Sequence, residues 1–381
     1  MEKNSRILIS GAGVAGLTCA IWLARHGFRP VVIEKSPSIR ADGFIISLSH
    51  ASYRYAEQLD LLKAIMASST GIKESGYHDR HGQAMLTLDY RDLFSGVDVV
   101  QIMRDDLEGI LHAAAKDLTE IRLATSLAAI EQHRDRALVT FNDGSIEEFD
   151  VVIGADGLHS NTRRLTFAEA DINQRYLGLF SSAYRLPNVL DISDRFENHM
   201  ERSRYMCVYT TRDKDLACVF IWQSDKLTAP PPPNRCSELQ AHYENAPAAV
   251  RQVLGSFPEG QTVYMDPLIQ IEMKKWNEGN VVLLGDAAHC LTLLSGQGAS
   301  SAFWGACKLA EGLVEYSRVD AFASYETEFR PVIAAIQPAT RLAAKWYIPR
   351  TRTRYAMRNA AMRHLPNQFF QRYFKNKYSK A

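Results

Sequence analysis

The chain has 381 residues, with 44 Lys and Arg against 43 Asp and Glu and a formal net charge of +1. A 46% hydrophobic, 23% charged composition is that of a soluble globular protein, and its near-neutral balance argues against bulk nucleic-acid binding. The length suits two intertwined lobes better than one small core or three full domains.

Arg6–Ser10 reads R-I-L-I-S, a short apolar strand that runs directly into Gly11-Ala12-Gly13-Val14-Ala15-Gly16. A helical pattern from Val14 to His26 follows, with Gly27 as its stop, and then a strand from Pro30 to Ile33 that ends at Glu34. Each part has a physical role in dinucleotide binding. Gly11 permits the tight turn, Gly13 lets backbone approach a pyrophosphate, and Gly16 lets the helix pack against the strand. The helix N-terminus supplies free N–H groups and partial positive charge. Glu34, 23 residues after Gly11, is placed to accept hydrogen bonds from ribose hydroxyls, and its charge disfavours a 2′-phosphate there. This unit alone does not separate NAD from FAD.

Further along, Met103-Arg104-Asp105-Asp106-Leu107 reads as a helix start. Ala137–Phe141 and Ile146–Ile153 read as a β-hairpin about Asn142-Asp143-Gly144, and the second strand enters Gly154-Ala155-Asp156-Gly157. In the middle of the chain, Tyr205–Thr210 and Leu216–Trp222 read as antiparallel strands around a polar Thr211–Asp215 turn. Period-two spacing puts Tyr205 with Tyr209 on one face and Phe220 with Trp222 on another. These four rings could meet a flat aromatic substrate, although sheet core is the more common fate of such residues. Pro230–Pro233 is a stiff surface spacer. Asn280–Leu284 is a buried strand leading into Gly285-Asp286-Ala287-Ala288-His289, then Ser295-Gly296-Gln297-Gly298-Ala299-Ser300 and a helix to about Tyr316.

From Thr340 onward there are eleven Lys and Arg and no Asp or Glu, interleaved with eight aromatic residues. Such a segment packs on the acidic remainder of the chain, steers an anionic substrate or touches a membrane surface, and its apolar area favours packing. The six cysteines show neither a CxxC pair nor metal-ligand spacing. No stretch approaches the ~18 uninterrupted apolar residues of a membrane span. A first strand at Arg6 leaves no room for a secretory signal, so a cytoplasmic enzyme with reduced thiols is expected. No zinc-protease, metal-cluster or hydrolase-elbow motif occurs.

Together, Gly11–Gly16, Asp156-Gly157 and Gly285-Asp286 with Gly296–Ala299 resemble, as separated motifs in the same order, the class A flavoprotein monooxygenases, the fold of p-hydroxybenzoate hydroxylase. The stretch Cys290–Ser300 is most similar to the branch containing tetracycline-inactivating monooxygenases. The resemblance implies an α/β fold: a Rossmann-like FAD-binding lobe (1–171 and 276–320), an antiparallel-sheet substrate lobe (172–275) and a C-terminal bridging helix (321–381), punctuated by Pro331, Pro338 and Pro349. It implies FAD contacts from Gly11, Gly13, Val14, Ala15, Gly16, Glu34, Lys35, Arg40, Arg104, Leu127, Asp156, Gly157, Asp286, Gly298 and Ala299. In that arrangement Asp286 meets the ribityl chain, and Gly298 and Ala299 stabilise the anionic N1–C2=O edge of reduced flavin.

The implied reaction consumes NADPH or NADH and dioxygen, forms a C4a-hydroperoxyflavin, and hydroxylates an aromatic or enol-containing ring in a monomeric enzyme. No catalytic residue and no metal is assigned, since the cofactor carries the chemistry. Departures from the family pattern are Leu293 for proline, Ser300 for asparagine, and Gly305-Ala306 for Asp-Ala. The Leu293 departure keeps open a same-fold flavin reductase or dehydrogenase, and a non-catalytic flavoprotein that sequesters a metabolite is the other alternative. His289 reads as a packed neighbour rather than a proton shuttle.

Overall fold

The computed structural model describes residues 1, 5–38, 43–228, 234–257 and 263–379; Arg40 and Pro230–Pro233 lie outside them. A six-stranded sheet runs in the order Asn277–Glu278, Val281–Leu283, Val151–Gly154, Arg6–Ser10, Arg29–Ile33, Glu120–Arg122, parallel except at its first strand. Four of the five residues in Arg6–Ser10 and all of Val151–Gly154 are buried, as strands covered on both faces must be. The helix Val14–Arg25 is buried from Val14 through Leu23 because the helices Arg104–Ala115 and Gly298–Glu315 close over it.

Register brings the motifs together. Ser10 lies opposite Gly154, and Gly154 lies opposite Leu283, so three adjacent parallel strands end level with one another. The three glycine turns therefore leave the same edge of the sheet, where open α/β sheets bind ligands.

The expected hairpin strand Ile146–Ile153 is two strands. Ile146–Phe149 pairs with Ala137–Phe141, and Val151–Gly154 crosses into the parallel sheet. Asp150 is the joint: its carboxylate accepts from Arg6 N at 2.7 Å and its amide donates to the Arg6 carbonyl at 2.9 Å.

A seven-stranded sheet has the order Tyr264–Met273, Ile172–Leu186, Leu216–Gln223, Arg204–Thr210, Arg195–Met200, Glu74–His78, Ala84–Asp89. Residues 74–89, on the nucleotide side of a boundary drawn at 171, supply its last two strands. Arg195–Met200 and Glu74–His78 pair in parallel, an arrangement that a local alternation pattern does not encode.

Phe220 and Trp222 do not face a substrate. They pack with Leu239, Tyr243 and Val250 beneath the helices Arg235–His242 and Ala248–Gly255. The opposite face, carrying Cys207, Tyr209, Val219 and Ile221, packs against Phe44, Ile45, Leu293 and Leu294 from the nucleotide lobe, which makes the seam between the lobes.

The single bridging helix is three helices, Arg318–Tyr347, Arg352–His364 and Asn367–Ser379. Pro331 and Pro338 sit inside the first, whereas Pro349 and Pro366 separate the segments. The first is strapped to the Tyr264–Met273 strand, with Gln337 Nε2 donating to Ile271 O at 2.8 Å and Arg341 meeting Glu272 at 3.0 Å. Tyr347, Phe370 and Phe374 pack onto a cluster around Met85, Leu88 and Met362. Among the described residues of the basic segment, Arg341 and Arg363 form ion pairs with the acidic body, to Glu272 and Asp79. Aromatic packing, more than charge, seats this segment. No helix among the described residues is long and apolar enough to cross a membrane.

Candidate cofactor cleft and the seam beside it

A cleft opens at the level strand ends. Its walls include Gly11, Gly13, Glu34, Lys35, Arg104, Leu127, Asp156 and Gly157, eight of the residues singled out from the sequence. Gly11 has φ +112°, and a Cβ there would run into the Ala155 carbonyl, so no other residue fits. At Gly13 the nearest atom to an added Cβ is Glu108 Oε1 at 3.7 Å, so its hydrogen leaves room for a ligand against backbone. Gly16 approaches the Gly11 carbonyl and serves packing rather than the cleft wall. Val14 and Ala15 form the first helical turn and are buried.

Glu34 caps the turn from below, accepting from Ala12 N at 3.1 Å and Ser36 N at 2.9 Å. Each oxygen keeps a lone pair for a hydroxyl on the cleft side. Asp156 is more committed. One oxygen takes the Ser160 hydroxyl, and the other accepts from Thr162 N at 2.8 Å and Thr162 Oγ1 at 2.9 Å. It shapes the loop that presents Gly157, whose Cα hydrogen faces open space. The buried Arg163 then ties this loop to the Gly285-Asp286 turn, donating to Leu158 O at 2.6 Å and Ala287 O at 2.8 Å.

Asp286 is solvent-exposed and stands outside the cleft walls, and desolvation by the protein around it raises its carboxyl pKa against the pull of Arg104. Burial opposes charge on Arg104 too, but Glu108, hydrogen-bonded at 2.9 Å, and then Asp286 hold the guanidinium above its ordinary pKa. Glu108, 4% exposed, escaped sequence reasoning; its signal was the i, i+4 position from Arg104 on one helix face. Ser38, Thr125, Ser126, His159 and Asn161 also line the cleft without any motif to announce them.

The glycine-rich turn stands at the junction with the seam. Gly298 and Ala299 begin the helix Gly298–Glu315, and nothing lies within 4 Å of a Cβ added at Gly298. Leu293, the family proline position, packs into the seam. Ser300, the family asparagine position, is 2% exposed and stitches this helix to the Ile45–Ser49 strand, donating to Ser47 O at 3.0 Å and accepting from Ser49 N at 2.9 Å. Thr292 holds φ +67°, and its buried hydroxyl has no partner among the described residues. Strained backbone and an orphaned polar atom at a turn are what a ligand site retains. His289 is boxed by Trp276, Tyr325 and Phe329, and burial lowers its pKa to about 3, so the ring is neutral. It is a packed neighbour, away from the cleft walls.

A family model described as an FAD binding domain matches residues 4–340. A flavin-dependent monooxygenase from an unknown prokaryotic organism is 34% identical over 345 residues, covering 88% of each chain. This chain belongs to the flavin-dependent monooxygenases. Among solved structures, tetracycline destructase Tet(55) is 27% identical with a TM-score of 0.83, covering 96% of this chain and 98% of its own. Klebsiella pneumoniae HpxO, complexed with FAD and uric acid, superimposes with a TM-score of 0.86 at 20% identity, over 99% and 97% of the two chains, a likeness of fold. The monooxygenase is thus an FAD enzyme of the class A type, in the neighbourhood of the tetracycline destructases.

Proposed function

We propose that the cleft holds FAD extended from Glu34 to the Gly296–Ala299 turn, and that the enzyme uses NAD(P)H and dioxygen to hydroxylate an aromatic or enol-containing polycyclic ring in the seam. One observation carries this: three glycine turns end level at one sheet edge, with the last opening onto an apolar seam between the lobes.

The residues suit the group. Glu34 has lone pairs for ribose hydroxyls, Gly13 and Gly157 offer backbone without side chains, and the Gly298 helix start directs N–H groups toward an anionic ring edge. FAD held by these residues would supply the redox chemistry that carries electrons from nicotinamide to dioxygen. The chain's own contribution is orientation and exclusion of water. Leu293, Leu294, Val219 and Ile221 line the seam with apolar surface, and Tyr209, whose hydroxyl accepts from Ile45 N at 2.7 Å, fixes the strand beside it. No side chain is needed to carry a proton for oxygen transfer itself. Likeness to Tet(55) makes tetracyclines the first substrates to try, and a monomer is the expected form.

The test is substrate-stimulated NAD(P)H oxidation by flavin-loaded protein under ¹⁸O₂ with tetracyclines and small phenols. Product heavier by one labelled oxygen is expected. NAD(P)H oxidation with unlabelled product would replace this reading with a reductase, and protein that cannot be loaded with FAD would end it.

A further inference from the structure

The last helix, Asn367–Ser379, does more than close the fold: it lays Lys377 and Tyr378 against the glycine-rich turn. A Cβ added to Gly296 would lie 3.3 Å from Tyr378 Oη and 3.4 Å from Lys377 Nζ. Gln297, 5% exposed, donates from Nε2 to the Lys377 carbonyl at 2.8 Å, which fixes the helix in that place. Tyr378 is 7% exposed and packs edge-on against Phe94 at 5.4 Å. The Lys377 ammonium rests 5.5 Å from the Tyr378 ring centre and has no carboxylate partner among the described residues. Lys377 is half-buried, and desolvation there lowers its pKa to about 8.

Drawing a cation even partly out of water without a counter-charge is costly, and an arriving anion offsets that cost. The chain has 43 acidic residues and sets none of the described ones against this ammonium, yet braces its backbone with a buried glutamine. The site beside it is the junction of the turn and the apolar seam. An anion suited to that junction is flat, mostly apolar and carries its charge on a ring oxygen.

We propose that Lys377 is the recognition cation for substrate bound as an ionised ring, a phenolate or enolate, with the Tyr378 hydroxyl beside it as a second polar contact. This rests on the reading of the seam as the ring-binding site. It makes the C-terminal helix a determinant of specificity: neutral ethers of the same shape lose the ion pair and are discriminated against. The competing recipient of the charge is the reduced flavin, and the test separates the two.

Flavin-loaded full-length protein is titrated with pentafluorophenol, ionised at neutral pH, and with its neutral ether pentafluoroanisole, following the flavin absorbance difference. Wild type is expected to bind the phenolate at least tenfold more tightly than the ether. Lys377→Met is expected to weaken the phenolate about tenfold and leave the ether within about twofold, with Lys377→Arg recovering most of the loss. Lys377→Gln, polar and neutral, should behave as the methionine variant does and guards against a packing defect peculiar to methionine. Equal loss for both probes would mean a structural role and overturn the proposal, as would no preference in wild type. Unchanged phenolate binding with a lowered flavin midpoint potential would assign the charge to the flavin instead. Because the titration needs no turnover, failure of oxygen insertion would sink the functional reading while leaving this result legible.

Discussion

The Ala155 amide donates to the Ser10 carbonyl at 2.8 Å, which extends the pairing of two strands one residue past their ends. That bond puts the Ala155 carbonyl over Gly11, so two turns about 145 residues apart in sequence form one wall of the cleft. Glycine is required at positions 11 and 13 for different reasons, and two variants separate them. Gly11→Ala meets both the positive φ and the Ala155 carbonyl and should lower stability by about 1–3 kcal/mol, read by thermal or urea unfolding of the apoprotein. Gly13→Asp has φ −84° and room for a side chain, so the apoprotein should melt near wild type while FAD retention falls at least tenfold. Equal destabilisation by both would refute the division of roles.

Asp156 acts through the loop. Asp156→Ala removes acceptors for Ser160, Thr162 N and Thr162 Oγ1 and should cost about 1–2 kcal/mol, with weaker FAD binding as a consequence. Asp156→Asn keeps one acceptor oxygen and should lose less of both. Loss of FAD binding with no change in unfolding would instead assign the carboxylate to the ligand.

His289 imposes a pH dependence on stability. Its folded pKa, about 3, is below the ordinary 6.5, so the unfolded chain takes up the proton first as pH falls. Stability from keeping this ring neutral is complete above about pH 6.5 and is lost progressively between there and pH 3. The slope is about 1.4 kcal/mol per pH unit for one such group. His199, buried beside His78 with its pKa lowered to about 4, adds in the same direction between pH 6.5 and 4. Urea unfolding across pH 4–7 should show the decline, and His289→Gln should flatten it; an unchanged slope would mean the ring is not held neutral.

Arg358 is 1% exposed and fastens the C-terminal helices to the second sheet. It donates to Met200 O at 3.0 Å, Tyr347 O at 2.9 Å and Asn359 Oδ1 at 2.8 Å, with no carboxylate partner among the described residues. Arg358→Ala strands these acceptors and leaves a cavity, so a loss of about 3–4 kcal/mol is expected in unfolding experiments. Because Arg358 lies in the helix before Lys377, ring binding should weaken as well, which a titration of the same variant would register.

Much of the nucleotide lobe was legible because its chemistry is local. A strand, a glycine turn, a helix and an acid within Arg6–Glu34 carry their own geometry, and the same is true of Gly154–Gly157 and Gly285–Gly298. Glu108 and Arg163 were not legible, since their importance comes from which carbonyls and side chains arrive beside them. Tyr209 and Trp222 show the same limit: period two assigned each to a face, but only the packing of helices behind one face decided which looked into the seam.

By itself, then, the sequence determined a dinucleotide-type cleft, because backbone turns and helix ends are short-range devices that few residue types satisfy; the family resemblance of its three motifs made that dinucleotide FAD. The level ending of three strands, the recruitment of residues 74–89 into the second sheet, and the division of the C-terminal segment into three helices were decided by tertiary structure. So was the placement of Lys377 against Gly296, 81 residues away. Those depend on register and on burial of apolar faces against distant partners, and such contacts exist only once the whole chain has closed on itself.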